Sequence, residues 1–316
     1  MVDLLSLEPT KISRDLKGKY MLIYSVPKGG KTSLATRFPK SLLFAFEKGY
    51  NALSGIIAQD IPKWTDFKSA VKQLKNPQVQ ERFDTVIIDT ATIAWERVEE
   101  YICTQNSLED ISELGWGKGY KLCSKEFNKM FREISMLGYG IVFLAHSEEK
   151  ALVGGEEGET FVCPMLEKRA YKIINGMVDI IAYIDVDFST GKRYLQTRRT
   201  KNIVAGSRFQ YLPERFELSY ENLVNYLAEA IEKQGEISGG LIMDDRLNYK
   251  DNSRSFTEVM EEAKSLWVKL TAGNEENARK ILKIVEETFG KKMKLSEATE
   301  PQKDLLEFVV EEMREM

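Results

Sequence analysis

Short apolar runs alternate with stretches of helical period through most of the chain. YMLIY at 20–24, SLLFAFE at 41–47, FDTVIIDT at 83–90 and GIVFLAH at 140–146 are apolar almost throughout, the composition of strands covered on both faces. TSLATRF at 32–38, WTDFKSAVKQLK at 64–75, and residues 91–104 and 118–137 carry apolar positions at helical spacing. Buried strands separated by such helices predict an α/β fold with a mostly parallel central sheet. Beyond residue 146 the pattern changes. SEEKALVGGEEGETF (147–161) is rich in glycine and glutamate and predicts a loop, and LEKRAYKIING (166–176) predicts a helix. VDIIAYIDV (178–186), KRYLQTRRT (192–200) and SRFQYL (207–212) predict shorter, hairpin-connected strands that extend the sheet.

A helix over 220–233 closes this core, which is expected to span 1–234. Residues 235–255 mix Gly, Ser, Asp and Asn with little periodicity and predict a linker. The remainder, 256–316, carries three helical stretches with apolar stripes, a small bundle. Gly290 suits the end of its middle helix and Pro301 the start of its last. Leu266, Trp267 and Leu270 are expected in its core, and Lys291, Lys292 and Lys294 form its densest basic cluster.

Composition narrows the picture. With 316 residues, 43% hydrophobic and 30% charged, the chain reads as an ordinary globular protein with a sizeable core. A net charge of -4 gives no bulk attraction to nucleic acid or acidic membrane, so any DNA contact must come from local basic patches. No run approaches the roughly 20 apolar residues of a membrane span, and the expectation is a cytoplasmic protein without a membrane partner. Cys103, Cys123 and Cys163 lack metal-ligand spacing and read as reduced, mostly buried thiols.

Candidate chemistry begins where the first strand ends. SVPKGGKT follows the phosphate-loop spacing G-x-x-x-x-G-K-[ST], with Ser25 in place of the first glycine. Such a loop turns main-chain N–H groups around phosphates, places a lysine at the β and γ oxygens and offers a hydroxyl to Mg²⁺. The nucleotide-holding residues are therefore expected to be Ser25, Val26, Pro27, Lys28, Gly29, Gly30, Lys31, Thr32 and Ser33, with ATP and Mg²⁺ as cofactors. Asp89 ends the strand FDTVIID, expected beside the first, and suits the metal together with Thr32; its other reading is a helix N-cap, a part Thr90 also fits. Glu47 ends SLLFAFE, where a parallel sheet presents ligands, and reads either as a water-orienting group or as a solvated loop glutamate. His146, the one histidine, ends GIVFLAH and reads as a sensor of the γ-phosphate or as a structural residue.

SVPKGGKTSLA, LLFAFEKGYNAL, FDTVIIDTAT, GWGKGYKLCSKEF and VFLAHSEEK follow the order of the RecA-type ATPase core. Over about residues 10–230 the chain resembles phage-encoded RecA-core proteins that act as single-strand-annealing or recombination ATPases. The resemblance implies Lys31 and Thr32 as nucleotide and Mg²⁺ ligands, Asp89 as the Walker B acid and Glu47 as the water-activating base. It puts His146 at the polar sensor position, which RecA itself fills with glutamine. In TRRTKNIVAG it implies Lys201, and next Arg199, as cations that reach a neighbouring subunit's ATP site; a solvated strand edge is the other reading. The loop after His146 would be the DNA-contacting loop, yet Glu148, Glu149, Glu156, Glu157 and Glu159 make it acidic, with Lys150, Lys168 and Arg169 at its flanks.

The resulting expectation is an ATP-dependent, single-stranded-DNA-binding recombination or annealing protein of phage type. Its hydrolysis would be DNA-stimulated, in a homo-oligomeric filament or ring, with a phage replication or single-strand-binding protein as a further partner. The alternative is an ATP-gated loader or scaffold of a replication complex with little turnover.

Overall fold

The computed structural model describes residues 11–152, 158–238, 241–243, 254–314 and 316. The chain divides into two compact units, one within residues 9–250 and one within 251–316. The larger unit starts with β1 (Lys11–Ser13) and β2 (Tyr20–Ser25), a loop, and the short helix α1 (Lys31–Ala35). There follow β3 (Ser41–Ala45), β4 (Ala58–Asp60), α2 (Trp64–Gln73), α3 (Pro77–Arg82), β5 (Thr85–Asp89), α4 (Ala91–Asn106) and α5 (Lys118–Met136). Its second half holds β6 (Gly140–Ala151), β7 (Thr160–Pro164), α6 (Lys168–Met177), β8 (Ile180–Val186), β9 (Arg193–Gln196), β10 (Gly206–Ser207), β11 (Arg215–Glu217), α7 (Tyr220–Ser238) and β12 (Leu241–Met243).

One sheet runs in the order β11-β9-β8-β2-β6-β5-β3-β4, with β7 paired to β6 and β10 to β8. From β8 to β4 every pairing is parallel; β9, β10 and β11 add an antiparallel edge. β1 and β12 form a separate parallel pair. Because side chains alternate across a strand, β2 sends Leu22 and Tyr24 to one face and Met21 and Ile23 to the other. The first face is aromatic: Trp64 lies 4.9 Å from Phe67, and Phe127 lies 4.6 Å from Phe131, ring centre to ring centre. The second packs Leu34 and Phe38 from the phosphate-loop side with Leu223 and Leu227 of α7.

Several sequence expectations are corrected. The strand carrying Asp89 is not beside β2: β6 lies between them, pairing parallel with β2 on one side and with β5 on the other, and both β5 and the first half of β6 are wholly buried. The segment after His146 is not simply a loop. β6 continues to Ala151 and pairs antiparallel with β7, from Ser147 opposite Pro164 to Ala151 opposite Thr160. This ribbon sets the polar residues 147–150 of β6 against the apolar Phe161, Val162 and Cys163 of β7, so polar residues stand on both of its faces and hydropathy does not signal it. Of the strand expected over 207–212 only Ser207 is paired, because the chain turns to bury Phe209 and Leu212. The Arg198 guanidinium holds that turn, donating to the carbonyls of Ser207, Phe209 and Gln210 at 2.9, 2.6 and 2.6 Å. β3 ends at Ala45, two residues short of Glu47.

The smaller unit contains α8 (Phe256–Thr271), α9 (Glu275–Phe289) and α10 (Lys303–Arg314) around Val259, Ala263, Ile281, Val285, Leu306, Val309 and Val310. Ser255 and Glu258 cap α8 reciprocally, and Gly290 ends α9 at φ 69°, where a side chain would be strained. Of the segment expected as a linker, residues 235–238 continue α7 and 241–243 form β12, whereas 239–240 and 244–253 lie outside the described residues. Glu156 and Glu157 lie outside them as well. Among the described residues no helix is long and apolar enough to cross a membrane.

Phe127 is fully buried among aromatic rings. Phe127→Ala should lower unfolding free energy by about 3–5 kcal/mol in urea titrations, whereas Phe188→Ala, at an exposed position, should change it by less than about 0.5 kcal/mol.

Candidate nucleotide site

β2 is buried to its last residue, and the chain turns there because Lys28 (φ 63°) and Gly30 (φ 105°) both take left-handed conformations. Ser25 fills space that a leading glycine would leave open. Its hydroxyl donates to the Val26 carbonyl at 2.8 Å, and Gly29 N–H donates to the same carbonyl at 3.1 Å. A Cβ on Gly29 would fall 2.4 Å from Ser25 Oγ and 2.8 Å from Ser25 Cβ. The serine is therefore tolerated because residue 29 has no side chain. Of the two adjacent glycines, Gly29 meets the tighter requirement.

Lys31 is buried at the foot of the loop. Its ammonium donates to Ser25 O at 3.4 Å, Ser25 Oγ at 3.3 Å and Val26 O at 3.3 Å, and it lies 3.3 Å from His146 Nδ1. Burial pulls its pKa down, and the charges of Asp89 and Glu47 oppose that. Thr32 donates its hydroxyl to Asp89 Oδ2 at 2.8 Å. Burial raises the Asp89 pKa, with the Thr32 hydrogen bond pulling the other way. The N-cap of α4 is Thr90, whose hydroxyl accepts from Ile93 N–H, so the Asp89 carboxylate is left to face Thr32.

His146 stands opposite Ser25 in the β2–β6 register. Its Nε2 lies 3.4 Å from Glu47 Oε1. A ring protonated on Nε2 accepts from Lys31 at Nδ1 and donates to Glu47. That hydrogen bond, more than any other influence, holds Glu47 below the usual carboxylate range. The main chain helps: the Asp89 carbonyl accepts from Phe46 N–H at 2.7 Å and from Glu47 N–H at 3.2 Å, which brings Glu47 back to the sheet after β3 has ended. Lys31, Thr32, Asp89, Glu47 and His146 thus form one cluster. Pro27, Lys28 and Ser33 are exposed on the rim, and Val26 is half-buried.

Lys201 and Arg199 are not in that cluster. Lys201 is 64% exposed and pairs with Glu159, while Arg199 is exposed with its charge acting on Tyr171 of α6. Their segment is fastened to β7: Val162 N–H donates to Asn202 O at 2.7 Å and Val204 N–H to Val162 O at 3.0 Å. Tyr24, one residue before the loop, donates its hydroxyl to Val204 O at 2.6 Å and so ties this segment to β2. Lys150 is paired with Glu148 and Arg169 with Glu167. In the smaller unit, Lys291, Lys292 and Lys294 are exposed, and Lys294 borders a cavity of about 580 Å³ with Trp267, Val268, Leu282 and Leu295.

Sequence reasoning missed Arg193. Its Nη1 lies 3.0 Å from where a Cβ on Gly30 would sit. β9 approaches β2 only through β8, so nothing in the linear sequence pairs residues 30 and 193.

The donor set fits a magnesium nucleotide: bare loop backbone for phosphate oxygens, a buried ammonium, and a hydroxyl beside a carboxylate for a hard cation. A family model described as an AAA domain matches residues 17–209. The chain belongs to this AAA-domain family. Loop and sheet order make it a RecA-like P-loop protein, the class its sequence resembled. Along its whole length the chain is 27% identical to the SPbeta prophage-derived protein YorG of Bacillus subtilis (strain 168), covering 98% of that protein. Among solved structures, a RadB recombinase covers 66% of this chain and 90% of its own at 13% identity and a TM-score of 0.39. A KaiC-like protein of Pyrococcus horikoshii OT3 covers 61% and 89% at 12% identity and a TM-score of 0.36.

Gly29→Ala should weaken nucleotide binding by roughly tenfold or more, because it overpacks Ser25. Combining it with Ser25→Gly should restore most of the affinity in equilibrium titrations; no rescue would mean that the Ser25 contact is not what Gly29 relieves.

Proposed function

We propose that this AAA domain hydrolyses ATP by in-line attack of water on the γ-phosphate and uses the cycle on single-stranded DNA, in phage-type recombination or annealing. The observation that carries the reading is the Lys31–His146–Glu47 chain, which joins the residue suited to the phosphates to the residue suited to the water. Lys31 neutralises phosphate charge. Glu47, kept ionised, orients the water and accepts its proton. His146 fixes the carboxylate and responds to any change at Lys31, which makes it the link between phosphate and base. Thr32 and Asp89 would hold Mg²⁺, which when bound supplies charge neutralisation at the β and γ oxygens.

The position of Lys201 and Arg199, exposed and apart from their own chain's loop, supports a role in a neighbouring copy's site, in a filament or ring. DNA would then meet the β6–β7 hairpin and its basic flanks, and strand contact must exchange Lys150 and Lys201 from their own glutamates to phosphate. This internal pairing favours a second reading, an ATP-gated loader whose partner is a protein and whose turnover is low. Recruitment of a replication protein falls to the helical unit, with Lys291, Lys292 and Lys294 as the contacts to test.

Turnover measured with and without single-stranded DNA at low salt separates the two. Stimulation supports the DNA-coupled ATPase, and its absence supports the loader. Glu47→Gln should keep ATP binding and lower turnover by roughly 100-fold or more; retained turnover would remove Glu47 from the mechanism. His146→Ala removes the hydrogen bond that holds the Glu47 pKa down. The carboxylate then protonates at higher pH, so the acid limb of the turnover profile should move upward; an unmoved limb would contradict the linkage.

A further inference from the structure

We propose that Arg193 is a phosphate-binding cation supplied to the nucleotide by the chain's own β9. The inference rests on the nucleotide reading above and deepens it. Arg193 opens β9, opposite Val186 of β8, and its carbonyl accepts from Leu218 N–H at 2.8 Å, so its main chain is held from both sides. From there the guanidinium reaches the loop. Nη1 lies 3.0 Å, and Cζ 3.9 Å, from where a Cβ on Gly30 would sit. Leu218 Cδ2 lies 3.9 Å from the same point. A Cβ at position 30 would crowd the guanidinium, while Leu218 would stay in ordinary van der Waals contact. The bare residue thus serves a close approach between a guanidinium and the stretch of backbone that leads into Lys31, beyond allowing the turn.

The electrostatics point to an anion. Some arginines of this unit meet carboxylates, as Arg37 meets Glu221, Arg208 meets Asp179 and Arg215 meets Asp185, while Arg198 is taken up by backbone carbonyls and Arg82 by the Phe83 ring. Among the described residues Arg193 has no ion pair, although it lies against the loop that carries Lys31. Lys31 already feels the Asp89 and Glu47 carboxylates, whereas Arg193 has no carboxylate of its own among those residues, and a polyphosphate is the anion this loop suits. Guanidinium adds a planar fork that two phosphate oxygens can share, which an ammonium does not. Arg193 differs in this from Lys201 and Arg199, which sit on the segment fastened to β7.

The test is equilibrium binding of ATP, ADP and adenosine, the last by competition, to the full chain and to Arg193→Ala and Arg193→Lys. Arg193 is exposed, so its replacement leaves the core intact. Arg193→Ala should weaken ATP by roughly tenfold or more while leaving adenosine unchanged, and Arg193→Lys should recover part of the loss. Wild-type ATP affinity in Arg193→Ala overturns the assignment. So does an equal loss for adenosine, which would make Arg193 a cover over the loop and no phosphate ligand. If the unaltered chain fails to bind ATP at all, the nucleotide reading falls and this inference with it.

Discussion

Everything at this site depends on one close approach: the side chain of Ser25 packed against a main chain that has no side chain at Gly29. The end of a central strand is a crowded place, with parallel neighbours on either side of β2 and helices over both faces. A loop that doubles back there has room for a serine at its start or a side chain four residues later, but not both. The serine, once admitted, supplies a hydroxyl and a carbonyl to the buried Lys31 ammonium. A buried cation needs such partners, because desolvation would otherwise drive it to the neutral form.

The second constraint is topological. With β6 between β2 and β5, His146 comes up between the phosphate loop and Asp89, and its two ring nitrogens face different groups. Asp89 touches Thr32 through its carboxylate and holds the Phe46–Glu47 main chain through its carbonyl. Two hydrogen-bonded routes therefore connect the loop to Glu47, one through side chains and one through backbone. In the proposed cycle, a shift of Lys31 toward phosphate would change the first route directly and so couple nucleotide state to Glu47. The Tyr24 hydroxyl ties β2 to the segment bearing Lys201 through the Val204 carbonyl.

Features contiguous in the chain were legible in the sequence. The strand, loop and helix around Lys31 are adjacent residues, and the parallel core follows from runs such as VIID and IVFLA that leave no polar face. Asp89 is visible as the acidic end of such a run, and its meeting with Thr32 follows once both strands share a sheet. Strand order was harder: the apolar runs of β5 and β6 are both wholly buried, so hydropathy does not say which of them lies beside β2. Glu47 lies beyond its strand and reaches the site through hydrogen bonds to the Asp89 carbonyl, a contact with no linear signature. Arg193 arrives through an antiparallel edge two strands from β2, and the β6–β7 ribbon has polar residues on both faces, so neither periodicity nor composition reveals them.

The most direct measurement is the affinity of the unaltered chain and of Lys31→Ala for ATP with Mg²⁺, by calorimetric titration. The account predicts saturable binding at one site per chain, strengthened by Mg²⁺ and lost in Lys31→Ala. Equal binding by both proteins, or none by the unaltered chain at millimolar ATP, would contradict it.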